Sequence, residues 1–213
     1  MHPYSTDATR PIRAMLLLAV FAIGLAYLLD RSLHVLHVHP PWWLDTPAVL
    51  GFYGLCWRLY DEHLWRLGSV TRTLSGVPNL AGHWAGTLLS SYPNQKPIKA
   101  SLVVRQTSSR LLITLETDKS KSFSTMAALF SAPGPSNGLH YVFANVPRTL
   151  NKETMRPHTG MVHLVLSADG SQLAGDYETD RFRATNGRLE FHRTTAADAS
   201  SDEPEGQPRA HTR

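Results

Sequence analysis

Arg181 and Arg183, two residues apart and flanked by Tyr177 and Thr185, are the residues of this sequence best suited to chemistry. A guanidinium presents a planar fork of donors that matches phosphate oxygens. Tyr141, Tyr177 or Trp84 offers a ring face on which a nucleobase can stack. Tyr92, Ser124, Asn145, His158 and Thr185 add hydroxyl, amide and imidazole groups. Together these suit the binding of a ligand with flat rings and phosphates. His158 with Asp176 or Asp180 makes an acid–base pair on paper, but no nucleophile motif, metal-ligand set or phosphate loop accompanies it. The expectation is therefore a binding protein, not an enzyme. Cys56 is the one cysteine, which excludes an internal disulfide and a multi-thiolate metal site. His34, His37 and His39 are by themselves a weak ligand set and are assigned no role.

These groups act together only if the fold gathers them. From Asn79 onward the helical period gives way to short alternating runs separated by Gly, Pro, Asn and Ser clusters, the pattern of an antiparallel all-β domain. Eight strands are expected, at residues 82–90, 98–106, 110–117, 122–130, 139–146, 158–167, 172–179 and 183–193. Alternation turns Ile98, Ala100, Leu102, Val104 and Gln106 inward, with Leu139, Tyr141, Phe143 and Asn145 doing the same later in the chain. Glycines at 160, 175 and 187 fall on that inner face and suit the curvature of a small closed barrel. With hairpin connections, Ser90 to Tyr92, Thr117, Ser122, Ser124, Asn145, His158, Tyr177, Arg181, Arg183 and Thr185 gather at one mouth. Val104, Leu111, Leu129 and Leu166 flank the other. A barrel of this size either fills its interior with side chains or holds one small ligand.

Charge supports an anionic partner. The 213 residues carry a net +4, but residues 79–193 alone carry +5, the first 78 carry +1 and the last 20 carry −2. The basic residues are scattered over several strands, not drawn into a stripe, which argues against a DNA or RNA duplex. The tail 194–213 lacks bulky apolar residues and is expected to be disordered.

Ahead of the strands, Ala14 to Leu29 is an uncharged apolar run of 16 residues. Basic residues precede it, yet no small-residue cleavage site follows, so a retained helix is expected over about residues 12–30. At about 1.5 Å per residue the run is short for a bilayer. A second span is expected over 42–60, between Trp42 and Trp43 and an aromatic belt of Trp57, Tyr60 and Trp65. Arg10 and Arg13 precede the pair, Arg58, Arg66 and Arg72 follow it, and only Arg31 lies between, which places both termini and the barrel in the cytoplasm. The expected organisation is a membrane anchor at 1–78, a β-barrel ligand domain at 79–193 and the tail.

The motifs VPNLAGHWAG (77–86), RQTSS (105–109), ETDKSKSFS (116–124), YVFANVP (141–147), MRPHTG (155–160) and LAGDYETDRFRATNG (173–187), behind two apolar helices, resemble a bacterial family. It comprises the CD-NTase-associated membrane effectors of cyclic-oligonucleotide-based antiphage signalling (CBASS), which have two transmembrane helices and a β-strand-rich domain. The resemblance covers about residues 10–193. It implies a receptor for a cyclic dinucleotide made by a CD-NTase, acting through its product and not necessarily bound to it. It further implies self-association on ligand binding, inner-membrane disruption and abortive infection, with no cofactor beyond the activating ligand. The HxG and YxTxR patterns of the family fall on His158, Gly160, Tyr177, Arg181, Arg183 and Thr185. Where the family often has an acidic residue after the Asn of its YxxxNxP run, this chain has Val146. The alternative is a membrane-tethered, lipocalin-like carrier of a hydrophobic ligand, which needs no arginines at the mouth.

Overall fold

A computed structural model describes residues 1–7, 10–38, 41, 45–67, 76–91, 96–130, 137–148, 156–181 and 183–194. Two short strands come first, β1 (His2–Pro3) and β2 (Ser5–Thr6), followed by helices α1 (Arg10–Val35) and α2 (Asp45–Glu62) and a 3-10 turn at Leu64–Arg66. Eight longer strands follow: β3 (Gly82–Ser90), β4 (Ile98–Gln106), β5 (Arg110–Thr117), β6 (Ser120–Phe130), β7 (Gly138–Pro147), β8 (His158–Leu166), β9 (Gln172–Thr179) and β10 (Asn186–Arg193). Each pairs antiparallel with its neighbour in sequence, and β10 pairs with β3 to close the ring. All eight expected strands are present, and closure removes the open edges that a flat antiparallel sheet would expose.

The eighth strand begins at Asn186, later than the expected 183, because a knot of hydrogen bonds holds the preceding residues in a turn. Thr179 Oγ1 accepts from Thr185 N at 2.9 Å, and Thr179 N donates to Thr185 O at 2.8 Å. Ala184 takes a φ of 48°, outside the strand region.

The inner face divides the barrel into halves. Trp84, Leu102, Leu111, Ile113, Leu129, Leu139, Leu164, Leu173 and Phe191 are almost completely buried and fill the lower half. Gln106 closes it beneath, accepting from Leu80 N at 2.8 Å and donating through Nε2 to Pro78 O at 3.0 Å, which fixes the incoming chain across the floor. In the upper half, inward positions 160 and 187 are glycines. A Cβ at Gly187 would stand 2.0 Å from Leu89 O, and one at Gly160 would stand 2.3 Å from Glu178 O. Both positions bring neighbouring backbones closer than any larger residue permits.

One seam of the barrel is built by a segment that the sequence did not announce. β5 and β6 pair directly only over Thr114–Glu116 against Lys121–Phe123. Beyond that, β6 bulges between Ser124 and Met126 and the strands part. Residues 2–6 fill the gap, with His2 and Pro3 opposite Leu111 and Arg110, and with Ser5 and Thr6 parallel to Ala128 and Leu129. Tyr4 donates to Ser108 O at 2.6 Å, and its phenol is pushed up by burial. Two-residue strands are too short to show a period, which is why the pattern gave no sign of them.

Helix α1 is longer than the apolar run alone predicted. It continues through Asp30 and Arg31 because the polar groups find partners one turn back. Arg31 Nε donates to Tyr27 Oη at 3.1 Å, Ser32 Oγ donates to Leu28 O at 2.8 Å, and His34 lies 3.5 Å from Asp30. The helix ends where Val38 N reaches Leu33 O at 3.0 Å and His37 takes a φ of 60°, a left-handed C-terminal cap. The stretch Ile12–Val35 is 24 residues, about 36 Å of helix, its most apolar 18 residues have a mean hydropathy of 2.3, and it is long and apolar enough to cross a membrane. Among the described residues it alone meets that test. Helix α2 packs against α1 but is 18 residues long and carries Asp45, Arg58, Asp61 and Glu62.

Both ends of the helical pair reach the barrel floor. Arg10 follows soon after the β2 strand in the seam, and Asp61 O accepts from Ser108 N at 3.0 Å in the β4–β5 turn. Trp65 and Tyr60 are buried in the same core cluster as the floor.

Candidate ligand cavity

Above the filled half lies a cavity of about 480 Å³, opening at the mouth away from the helices. Inward positions of β7 supply Tyr141, Phe143 and Asn145 in succession, while β9, on the far side of β8, supplies Tyr177 and Thr179. Leu88, Ile98, Leu115, Val162 and Leu189 complete apolar walls. The space remains open because two inward positions have no side chain. Phe143 pairs with Gly160 and Tyr177 with Gly187, so each ring lies along the wall over its glycine.

Polar groups form a continuous band near the opening. Leu115 pairs with Ser122, Ser122 with Asn145, and Asn145 with His158, which brings the last three together around the wall. Thr179 and Thr185 stand 3.0 Å apart through their hydroxyls on the other side. Tyr177 is hydrogen-bonded to Ser90, and burial pushes its phenol up.

Arg183 is held over this band by its turn. Asp180 accepts from Thr159 N at 3.0 Å and from Thr159 Oγ1 at 3.2 Å, and receives Arg183 N on its backbone oxygen at 3.0 Å. Arg183 is close enough to lower the titration of both His158 and Tyr177. For His158 burial is the largest cause and also lowers. The hydrogen bond to Arg156 O raises, Arg183 lowers and Asp180 raises, leaving the imidazole below its ordinary value. Its Nδ1–H donates to Arg156 O at 3.0 Å, so Nε2 of the neutral ring is an acceptor.

Of the residues singled out in the sequence, the structure brings Tyr141, Asn145, His158, Tyr177, Arg183 and Thr185 into the lining. Three of the others lie elsewhere. Trp84 belongs to the floor, where its Nε1 donates to Leu80 O at 3.1 Å and the Arg193 guanidinium sits 4.3 Å from its ring centroid. Ser124 is inward but one layer below Ser122. Its hydroxyl accepts from Ile113 N at 2.9 Å and bonds His2 Nε2 at 2.8 Å, so it closes the seam. Arg181 is exposed outside the lining. Tyr92 falls outside the described residues.

Sequence reasoning missed Asp118 and Lys119, which reach the cavity from the β5–β6 turn. Thr117 Oγ1 accepts from Lys119 N at 3.3 Å and from Ser120 N at 3.1 Å, a side-chain-capped turn. The Thr-Asp-Lys-Ser run between two alternating segments, on the same mouth as Arg183, was the signal available. Among the described residues no cluster of His, Cys, Asp and Glu suits a metal ion.

Residues 75–193 match the family model described as Cap15, cyclic dinucleotide receptor domain. This chain belongs to that family. The match spans the barrel and contains every described residue that lines the cavity. CD-NTase-associated protein 15 of Yersinia aleksiciae is 28% identical over 143 residues, covering 67% of this chain and 68% of that protein. As a member of the Cap15 family the chain is a CBASS effector built on a receptor domain, with no catalytic domain indicated. Cap15 receptor residues end at Arg193, where β10 also ends.

Proposed function

We propose that the barrel binds a cyclic dinucleotide in the half-open cavity, and that occupancy drives self-association of the membrane helices and disruption of the bacterial inner membrane. The observation that carries this reading is the cavity itself. Its volume falls within the range usual for small-ligand sites, and aromatic and apolar walls lie beneath an opening with Arg183, His158 and Asn145. Rings suit the bases, and cations with amide and hydroxyl groups suit the sugar–phosphate frame. A fatty acid offers one carboxylate to a cation but no ring to stack on Tyr141 or Tyr177, so it would use only part of this lining.

The placement of the helices supports insertion as a hairpin. Since α1 starts beside the seam and α2 ends on the β4–β5 turn, an α1 that crosses the bilayer obliges α2 to return the chain to the same side. The excess of flanking arginines favours the cytoplasm for that side, where a CD-NTase releases its product. Helix α2 is only about 27 Å long, so its charged ends sit at or near the headgroups.

The test is thermal stabilisation of the detergent-solubilised chain. A panel of 3′,3′-cyclic dinucleotides is compared with a fatty acid, and at least one cyclic dinucleotide raises the melting temperature by mass action while the fatty acid does not. Stabilisation by the fatty acid alone overturns the reading in favour of a carrier.

A further inference from the structure

We infer that Lys119 and Arg183 form a two-point clamp, each taking one of the two phosphodiesters of a cyclic dinucleotide. The inference rests on the ligand class proposed above and assigns the charges within it.

The argument starts from the order of strands around the ring, which runs β5, β4, β3, β10, β9, β8, β7, β6 and back to β5. The β5–β6 turn and the β9–β10 turn are therefore diametrically placed, with two strands between them on either side. Each contributes one basic residue to the cavity lining, Lys119 from the first and Arg183 from the second. Among the described lining residues these are the only lysine and arginine. The two phosphates of a cyclic dinucleotide lie across the macrocycle from each other, separated by the sugars. One cation cannot serve both, and two cations on facing turns can.

Each turn is fixed before any ligand arrives. Besides the Thr117 cap, Lys119 O accepts from Arg148 N at 3.0 Å, tying its turn to the end of β7. Arg183 stands on the Asp180 turn, itself bonded to Thr159. Fixed backbones lower the ordering cost of binding and set the span between the charges. The two cations differ in kind. Arg183 offers a planar fork beside His158, and Lys119 offers a point charge beside Asp118, so the second site discriminates less by geometry and more by charge.

The experiment measures binding by isothermal titration to the full chain in detergent. The probes are the tightest binder among 3′,3′-cyclic dinucleotides of A, C, G and U and the linear dinucleoside monophosphate of the same bases, which has one phosphodiester. Lys119→Ala weakens the cyclic ligand about tenfold or more, the usual size of a charge-assisted contact, and changes the linear one by less than about twofold. Arg183→Ala weakens both, and Lys119→Arg restores most of the cyclic affinity. An unchanged melting temperature of ligand-free Lys119→Ala separates a lost contact from a damaged turn. Wild-type affinity for the cyclic ligand in Lys119→Ala, or equal loss for both ligands, overturns the clamp while leaving the receptor reading intact. Failure of the wild-type chain to bind any cyclic dinucleotide overturns both.

Discussion

Gly187→Ala tests the claim that close backbone approach keeps the cavity open. The added methyl would stand 2.0 Å from Leu89 O and 2.6 Å from an edge carbon of the Tyr177 ring. A carbon normally rests at about 3.3 Å or more from a carbonyl oxygen, so β3 and β10 must part by about 1 Å at this point. The displaced pair includes Ser91 N to Asn186 O at 2.8 Å and Asn186 N to Ser91 Oγ at 3.1 Å. Losing one or both of those bonds costs about 1 kcal/mol each, and overpacking adds about 1–3 kcal/mol, giving a destabilisation of about 2–5 kcal/mol. For a domain of this size that lowers the melting temperature by roughly 10 °C, measured by differential scanning fluorimetry of the detergent-solubilised chain. Gly51→Ala in α2 is the control, because its Cβ meets nothing within 4 Å and a helix favours alanine. If Gly187→Ala melts with the wild type, the reasoning about strand approach is wrong.

The pH dependence of His158 has a definite sign. Its folded value lies below the ordinary one, so the unfolded chain binds the extra proton, and stability of the ligand-free protein falls as pH drops through about 6.5 toward the folded value. His140, lowered by burial and by His163, acts in the same window, so the part that vanishes in His158→Gln is the part to assign to His158. A bound phosphate reverses the penalty, and stabilisation by ligand is expected to be larger at pH 6 than at pH 7.5 in the wild type but flat in His158→Gln. In the seam, Tyr4→Phe removes the donor to Ser108 O and costs about 1 kcal/mol, while Tyr4→Ala also loses the ring and costs about 2–4 kcal/mol, both read as melting shifts. Arg183→Ala abolishes most dinucleotide-induced stabilisation whereas Arg181→Ala, outside the lining, retains most of it; equal effects in a side-by-side titration would contradict the placement of these two arginines.

Strand order, the inner face and the segregation of polar residues at one mouth were legible because period-two alternation and turn residues report them directly. Tyr141, Asn145 and His158 follow from that alternation alone. Trp84 could not be placed by the same rule, since parity says which face a side chain takes but not at what height. The floor position is set by its bond to Leu80 and by Arg193 above its ring. Ser124 was misleading for a related reason, because the bulge beside it opens the seam and gives its hydroxyl to Ile113 and His2. Arg181 and Arg183 look equivalent in the sequence, and only the turn closed by Thr179 and Thr185 separates them. The question of a filled or an open barrel had no answer at the level of pattern. The chain does both, with leucines and Trp84 in one half and wall-lying rings over glycine in the other.

The solid lower half has a consequence for how the bilayer could be breached. Trp84, Leu102, Leu139, Leu164 and Leu173 leave no water-accessible surface worth the name, and Gln106 seals the chain entry below them. No ion or solute can thread the barrel axis, so the strands cannot serve as a conduit. If assembly breaches the bilayer as proposed, the leak runs outside the barrel axis. The cup behaves as a dead end whose occupant arrives and departs through the same door.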